Sequence, residues 1–330
     1  MGLRSLVVKR IFIAIPLILC VLMFDFIIIH LVPGDPAFFL AGGALEEERV
    51  VQHRMKIINE QLGLDKPLPE QLLIYFSNML RGDFGYSFVY QRPVFEVIME
   101  RMPYTLLLLG SATAIGIPVG IILGVEVAKR PNGKLDKITS FFSFILYSTP
   151  IFWVAMMLIL IFALHLHWLP AAGYRTMRVD LTGIDFIIDV IRHMILPVFL
   201  LGGTTSISYC RLVRISVLEA SQQDYIITAR SKGASESIVF YKHALRNGLI
   251  PVATVIFPHI LYMIQGNVFI ETVFGWPGVG KIMFDAIGVR DYPMLMGSFT
   301  IMAVTVILAN LAADVSYYLL DPRIRYNSGK

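Results

Sequence analysis

A chain of 330 residues with 56% hydrophobic and only 16% charged residues falls outside the soluble range, where charged residues run at about a quarter. The formal net charge of +4 is too small to argue for a nucleic-acid partner, and two cysteines, Cys20 and Cys210, both in or beside apolar segments, supply neither a disulfide framework nor a CxxC metal site. The lipid bilayer is the expected solvent.

A membrane-spanning helix takes about 20 mostly apolar residues. Six stretches meet that length, at 11–32, 104–128, 139–164, 194–213, 249–271 and 295–320. They predict an all-α integral membrane protein, one transmembrane domain over 1–330, with six transmembrane helices and both ends on the same side. With a cytoplasmic N-terminus, the inside segments hold 16 Lys and Arg in 67 residues and the outside segments 12 in 122, the bias that the positive-inside rule demands. That orientation makes 33–103 a large extracytoplasmic loop and 221–248 a cytoplasmic one.

The first span has no good cleavage site after it, since Asp25, His30 and Val32-Pro33-Gly34-Asp35 interrupt the pattern, and it is expected to stay as an anchor. Asp25 itself is costly in an apolar run and must face protein or water. It either reaches the interface or a neighbouring helix, or it serves transport. In the loop that follows, Leu68, Leu72, Leu73, Phe76, Met79 and Leu80 recur at helical spacing ahead of Gly82-Asp-Phe-Gly85 and predict a surface helix with one apolar side.

Span two carries Gly116, Gly120, Gly124 and Ala128 at four-residue intervals, a stripe that lets another helix come close. The partner is expected in the same subunit rather than across a subunit interface. Spans three and four contain Pro150 and Pro197, tolerable where neighbours re-satisfy the backbone. The small polar run Gly202-Gly-Thr-Thr-Ser206 with Ser208 fits a wet pathway or helix-to-helix hydrogen bonding equally well. His165, His167 and His193 sit near the outer ends of these spans, but an i, i+2 pair does not share a helix face and neither a metal site nor a catalytic residue is assigned.

Between spans four and five lies the polar, basic stretch Ser221–Pro251. Ser221-Gln-Gln-Asp224 reads as a capping box, Tyr225–Ser231 as a short helix, and Gly233 as its stop, because glycine takes positive φ cheaply. Ser235 can cap a second short helix with Ile238, Tyr241 and Leu245 on one face and Lys242 and Arg246 beside it. Span five is expected to be broken by Pro251 and Pro258, and then passes Gln265, Asn267 and Glu271 before Phe274-Gly-Trp-Pro-Gly-Val-Gly280. Gly275–Lys281 nearly fits a phosphate-binding loop. Ile282 stands where a Mg²⁺-binding hydroxyl is needed and no strand precedes, so no ATP site is assigned to this chain.

Asp224-Tyr-Ile-Ile-Thr-Ala229-Arg-Ser-Lys-Gly233, then His243-Ala-Leu-Arg-Asn247 and Pro251, resembles the coupling loop of ABC-importer permeases in the dipeptide, oligopeptide and nickel branch. It departs from the general importer pattern, since Ile227 and Thr228 replace Glu-Ala and His243 and Arg246 replace Ile and Pro. Pro33-Gly-Asp-Pro36, Leu62–Gln71, Gly82–Ser87, Gly266–Gly280 and Asp291-Tyr-Pro293 are similar to the same branch. The resemblance implies a permease subunit forming half of a translocation pathway for peptides or a similar small solute. It implies two separate ATP-binding subunits holding ATP and Mg²⁺, a second homologous permease in a heterodimer, and an extracytoplasmic substrate-binding protein. Tyr225, Ala229, Lys232, Gly233, Ala234 and Arg246 are the expected ATPase-coupling residues, Ala229, Lys232 and Ala234 by contact and Arg246 by anchoring the second helix. Asp25, Gln265, Asn267, Glu271, Pro277, Gly278 and Gly280 are the candidates for pathway or gate. The competing reading is an ion-coupled secondary transporter, which would show internal repeats and interrupted spans with midplane ligands; no clear repeat is present.

Overall fold

The computed structural model describes residues 3–31, 48–62, 65–87, 89–177, 179 and 181–320. The Pro33–Pro36 segment, Gly63-Leu64 and the terminal 321–330 lie outside them. In chain order come α1 (Leu3–Leu31), α2 (Glu48–Leu62), α3 (Leu68–Leu80), a hairpin of β1 (Tyr86–Ser87) and β2 (Arg92–Pro93), α4 (Val94–Lys129), α5 (Lys134–Ser148) and α6 (Ile151–Leu158). They are followed by α7 (Gly183–Ser221), α8 (Asp224–Ser231), α9 (Glu236–Ile238), α10 (Leu245–Tyr262), α11 (Val268–Val273), α12 (Val279–Val289) and α13 (Tyr292–Leu320).

Among the described residues, four helices are long and apolar enough to cross a membrane: α1 over Val8–Ile27, α4, the rod from α9 through α10 over Glu236–Gln265, and α13 over Tyr292–Ser316. The stretch expected as span 139–164 is bent. α5 and the segment Ile151–His165 meet at 105°. Pro150 sits at the junction, and the residue before a proline is driven out of the helical region, so Thr149 is extended at φ −108°, ψ 131° and the helix turns there. The pair makes a fifth span only if its two limbs count as one. The predicted span 194–213 lies inside the 39-residue α7, which continues through Pro197.

α4 and α7 are the central pair, and the glycine stripe is their contact. A β-carbon on Gly116 would stand 2.8 Å from the Gly202 carbonyl oxygen, one on Gly120 2.6 Å from that of Ser206, and one on Gly124 2.6 Å from Val213 Cβ. With no side chains between them, the backbones approach as only glycine permits, and the partner is in the same chain. The polar run on α7 bonds mostly within its own helix: Ser206 Oγ donates to the Gly202 carbonyl at 2.7 Å, Thr204 Oγ1 to Leu201 at 2.8 Å, and Ser208 Oγ to Thr204 at 2.8 Å. Ser208 Oγ also shares a 3.0 Å hydrogen bond with the Tyr147 hydroxyl of α5.

Among the cores around this pair, two pack against both helices. Towards the C-terminal end of α4, Val125 and Ala128 pack with Val213, Val217, Ile226, Val239 and Phe240. Towards its N-terminal half, Leu108 and Ala112 pack with Leu196, Leu200, Ile270, Phe274 and Trp276. α1 is fastened to α13 by Arg10, whose Nη2 and Nε reach the two oxygens of Asp314 at 2.8 and 2.7 Å.

The surface helix forms as α3, but its expected single apolar side is corrected. Leu72, Phe76 and Met79 pack inward with buried Tyr75 against Leu22 and Phe26 of α1, whereas Leu68, Leu73 and Leu80 are exposed. The six leucine, phenylalanine and methionine positions lie on more than one face, and the inward face carries the buried Gln71 and Tyr75.

Span five is not broken at its prolines. α10 runs through Pro251 and Pro258, as membrane helices tolerate proline. The interruption falls instead at Gly266, with φ +75°.

Candidate functional site

At one end of the α4–α7 pair, α7 turns back on itself through α8 into α10. The expected capping box is not formed. Ser221 is the last residue of α7 and its hydroxyl donates back to the Leu218 carbonyl at 2.7 Å, while Gln223 holds the N-cap position of α8 without a side-chain bond. A helix that has not yet ended offers Ser221 a carbonyl one turn back, and that acceptor wins. Gly233 stops α8 as the residue pattern requires, at φ +78° with open space where a β-carbon would be. Beyond it, Ser235 is at the N-cap of α9, also without a side-chain bond.

The second helix differs from expectation in length and in phase. α9 passes through a π-helical turn, Val239–Ala244, directly into α10. Val239, Phe240 and Ala244 are buried, while Ile238 and Tyr241 face outward. The i to i+5 spacing of a π-turn rotates the inward face away from the one an α-helical reading gives.

The result is an exposed turn on an apolar footing. Lys232 and Gly233 are exposed, Ala234 is half-buried against the core, and Arg246 is exposed at the start of α10 with no ion pair among the described residues. Ala229 is buried in the chain's own core, so it supports the turn rather than facing outward. Tyr225 is partly exposed and its hydroxyl donates to the Ala220 carbonyl at 3.2 Å. Sequence reading misses two features. Ile227 projects from α8 with 59% of its surface open. Arg230 reaches across the turn with Nε 2.9 Å and Nη2 3.2 Å from the oxygens of Glu236, and this bond holds the Glu236 carboxyl below its ordinary value. An i, i+6 pair belongs to no helical template, so only the folded turn shows it.

At the other end of the pair, six of the seven pathway candidates gather around one carboxylate. Glu271 is fully buried on α11. Its Oε1 accepts from Thr105 Oγ1 of α4 at 3.0 Å and from the Asn267 amide at 3.1 Å, and its Oε2 accepts from the Lys281 amide at 3.1 Å. Thr105 Oγ1 in turn accepts from the Val279 amide at 2.8 Å. Asn267 caps α11, its side chain accepting from the Ile270 amide at 3.1 Å. Two glycines make room for the carboxyl, since a β-carbon on Gly278 would stand 2.4 Å from Glu271 Oε2 and one on Gly266 2.9 Å from Oε1. A β-carbon on Gly280 would stand 2.7 Å from the Val268 amide, so that glycine lets the backbone close up instead. Pro277 is half-buried in the same turn, and Trp276 anchors it by donating to the Tyr104 carbonyl at 2.8 Å. Gln265 lies just before Gly266, its buried amide nitrogen without a partner among the described residues.

The near-match to a phosphate-binding loop now has a physical reading. Backbone amides at the start of α12 do receive an anion, and it is the chain's own Glu271. The Lys281 ammonium, which such a loop would aim at a phosphate, pairs with Asp285 at 2.6 Å.

Asp25 does not join this group. It is buried on α1, its Oδ2 without a partner among the described residues. It lies near Tyr75, whose hydroxyl is pushed up to about 12 by burial, with the charge of Asp25 adding to the shift against a hydrogen bond to Thr300. Asp291, which the Asp291-Tyr-Pro293 motif marks without giving its role, is fully buried and accepts from Ser87 Oγ and from the Met294 amide, tying the β-hairpin to the start of α13.

Comparison with known proteins bears on both ends. The family described as the binding-protein-dependent transport system inner membrane component matches residues 116–326, and its N-terminal membrane component matches residues 3–109. The chain is 38% identical over 321 residues to the oligopeptide transport system permease protein of Bacillus subtilis, covering 97% of this chain and 99% of that one. It is 36% identical over 319 residues to the glutathione transport system permease protein of Pectobacterium atrosepticum, covering 97% and 98%. It is 35% identical over 332 residues to the dipeptide transport system permease protein of Alkalihalophilus pseudofirmus, covering 96% and 98%. A multi-pass helical protein with this turn between α7 and α10, matched along nearly its whole length, belongs to the inner membrane component family of binding-protein-dependent transport systems: it is a permease subunit of an ABC importer, one component working with others and not itself an enzyme.

Proposed function

We propose that the chain forms half of the pathway by which peptides enter the cell, a cargo class supported by the oligopeptide and dipeptide names of its relatives. Two cytoplasmic subunits bind ATP and Mg²⁺, an extracytoplasmic protein delivers the peptide, and a second, different permease completes the pore. The single observation that carries the reading is the turn at Gly233: exposed Tyr225, Ile227 and Lys232 stand over a footing of Ile226, Ala229, Val239, Phe240 and Ala244, a rigid knob of the kind that enters a groove on a partner. The knob joins α7 to α10 directly, so closure of the ATPase pair moves both helices.

Gly233→Asp tests it. A β-carbon there meets no atom within 4 Å and only the positive φ resists it, so the protein should insert and fold while losing ATPase association and uptake. A variant that still couples ATP hydrolysis to uptake at the original rate makes the knob a mere connector.

In the membrane, the bent α5–α6 pair and α7 complete six spans over 11–32, 104–128, 139–164, 194–213, 249–271 and 295–320, both termini cytoplasmic. An impermeant thiol reagent should label a cysteine placed at 281 and miss one at 134; the reverse pattern inverts the topology. Co-purification decides the pairing: a tagged chain that alone assembles with its ATPases into an active transporter removes the need for a second permease. Glu271 with Gly278, Gly280, Pro277, Asn267 and Gln265 shapes the outer end of the pathway, while Asp25 stands apart on α1.

A further inference from the structure

The knob is joined to a third helix by a polar contact that chain connectivity does not provide. Tyr241, in the π-turn between α9 and α10, donates its hydroxyl to Glu126 Oε1 of α4 at 2.8 Å. Lys129, one turn further on α4, donates to the same oxygen at 2.7 Å. Its ammonium also lies 4.4 Å from the centroid of the Tyr241 ring, so the cation meets the π-face and the carboxylate together. Below this clasp, Val125 and Ala128 of α4 share one core with Val239, Phe240 and Ala244.

We infer that Tyr241, Glu126 and Lys129 form a clasp through which movement of the knob is delivered to α4 as well as to α7 and α10; the inference rests on the coupling role proposed above. Two further observations support it. α4 is locked to α7 by the glycine contacts at Gly116, Gly120 and Gly124, so the clasp closes a ring from α7 through α8 and the π-turn to α4 and back to α7. A ring cannot shear at one joint while the others hold. The π-turn supplies the geometry, because it buries Val239 and Ala244, five residues apart, and leaves Tyr241 turned outward towards the last turn of α4. Pulling the knob therefore moves α4, whose opposite half supplies Thr105 to the Glu271 cradle. Tyr241, Glu126 and Lys129 act as positioning residues; none of them need touch the cargo.

The test uses the complete transporter in liposomes, with its ATPase subunits and binding protein, and a radiolabelled tripeptide as probe. The reading is tripeptide imported per ATP hydrolysed. Tyr241→Phe keeps the ring over Lys129 and removes only the hydroxyl; Glu126→Gln removes the shared anion. Each should lower the ratio by about fivefold or more, the lower end of ordinary coupling energies, with ATPase association unchanged. The double variant should be no worse than the worse single one, since both break one linkage. A wild-type ratio in Tyr241→Phe makes the clasp passive, and losses that multiply in the double variant show that the two residues act separately; either result overturns the inference. Loss of ATPase association in Tyr241→Phe also overturns it, by making Tyr241 a docking residue. Should Glu126→Gln fail to fold, Lys129→Gln takes its place, with the same loss expected and the same overturning outcomes. Gly233→Asp run alongside separates the two claims: if it alone abolishes coupling, the knob stands and the clasp falls, and if it has no effect, the knob itself has failed.

Discussion

The two ends of the α4–α7 pair are held together by opposite means. At the Glu271 end a buried carboxyl is surrounded by donors, and Gly266 and Gly278 leave it room. At the Gly233 end the footing is apolar, the polar groups lie outside it, and the one glycine of the turn has open space around it. A buried polar knot tolerates no partial satisfaction, whereas an apolar footing under an exposed turn tolerates change on its outer face. The first end suits a part that must keep its shape and the second a part that meets a partner.

The largest effect should come from the knot. Glu271→Ala opens a cavity and strands the hydroxyl of Thr105 and the amides of Asn267 and Lys281, a combination costing about 4 kcal/mol, to be read as thermal melting in detergent. Glu271→Gln keeps the shape but points an amide NH₂ at a donor whichever way it turns, so it too should melt earlier and lose uptake. If it melts and transports normally, the contrast between the ends collapses. Next is Gly120→Ala, which sets a β-carbon against the Ser206 carbonyl and forces α4 from α7, at about 2 kcal/mol in the same assay. Unchanged melting would mean that the two helices are not held by their backbones.

Gly233→Ala should act differently. It meets no atom, and only the positive φ resists it, at about 1–2 kcal/mol. The cost falls on the turn, so ATPase association should weaken while global melting stays put; a fall in melting would place the turn within the cooperative core. The smallest effect is expected at Asp136, whose carboxyl is held below its ordinary value chiefly by the hydrogen bond from Arg214 at 2.8 Å, with the Asn132 amide also lowering it against its burial. A carboxyl depressed by folding contributes stability above its unfolded pKa and loses it as pH falls through the lower folded value, so this contribution should fade below about pH 4. Arg214→Gln should flatten that acid limb of the melting curve and leave the Glu271 end untouched. A limb of unchanged steepness would remove Asp136 from its cause.

These contrasts also sort what the residues declare in advance. The glycine stripe was legible because its four-residue period is local, and Gly233 because a helix stop needs only one residue of special φ. Ser221 misled because a capping box presumes that a helix begins there, and α7 had not finished. Pro251 and Pro258 misled for the reverse reason: in water a proline ends a helix, but a membrane helix tolerates it. Thr105 and Glu271, 166 residues apart, and Tyr241 and Glu126, 115 apart, carry no sign of one another in the chain. Glu271 was marked by its cost in an apolar stretch, but its partners were not.

The glycine contact of α4 and α7 has a thermodynamic consequence. Packed leucines or methionines would each surrender rotamer freedom on meeting, a loss that grows with temperature, whereas Gly116, Gly120 and Gly124 have no side-chain conformers to lose. Lipid tails are as apolar as the helices they surround, so no expulsion of water rewards the association either. What remains is close van der Waals contact of the glycine backbone of α4 with the carbonyls and the Thr205, Tyr209 and Val213 side chains of α7, an enthalpy with little heat-capacity change attached. The strength of this contact should therefore vary only weakly between cold and warm membranes, and the protein carries at its centre a joint that neither stiffens nor loosens much as its surroundings change temperature.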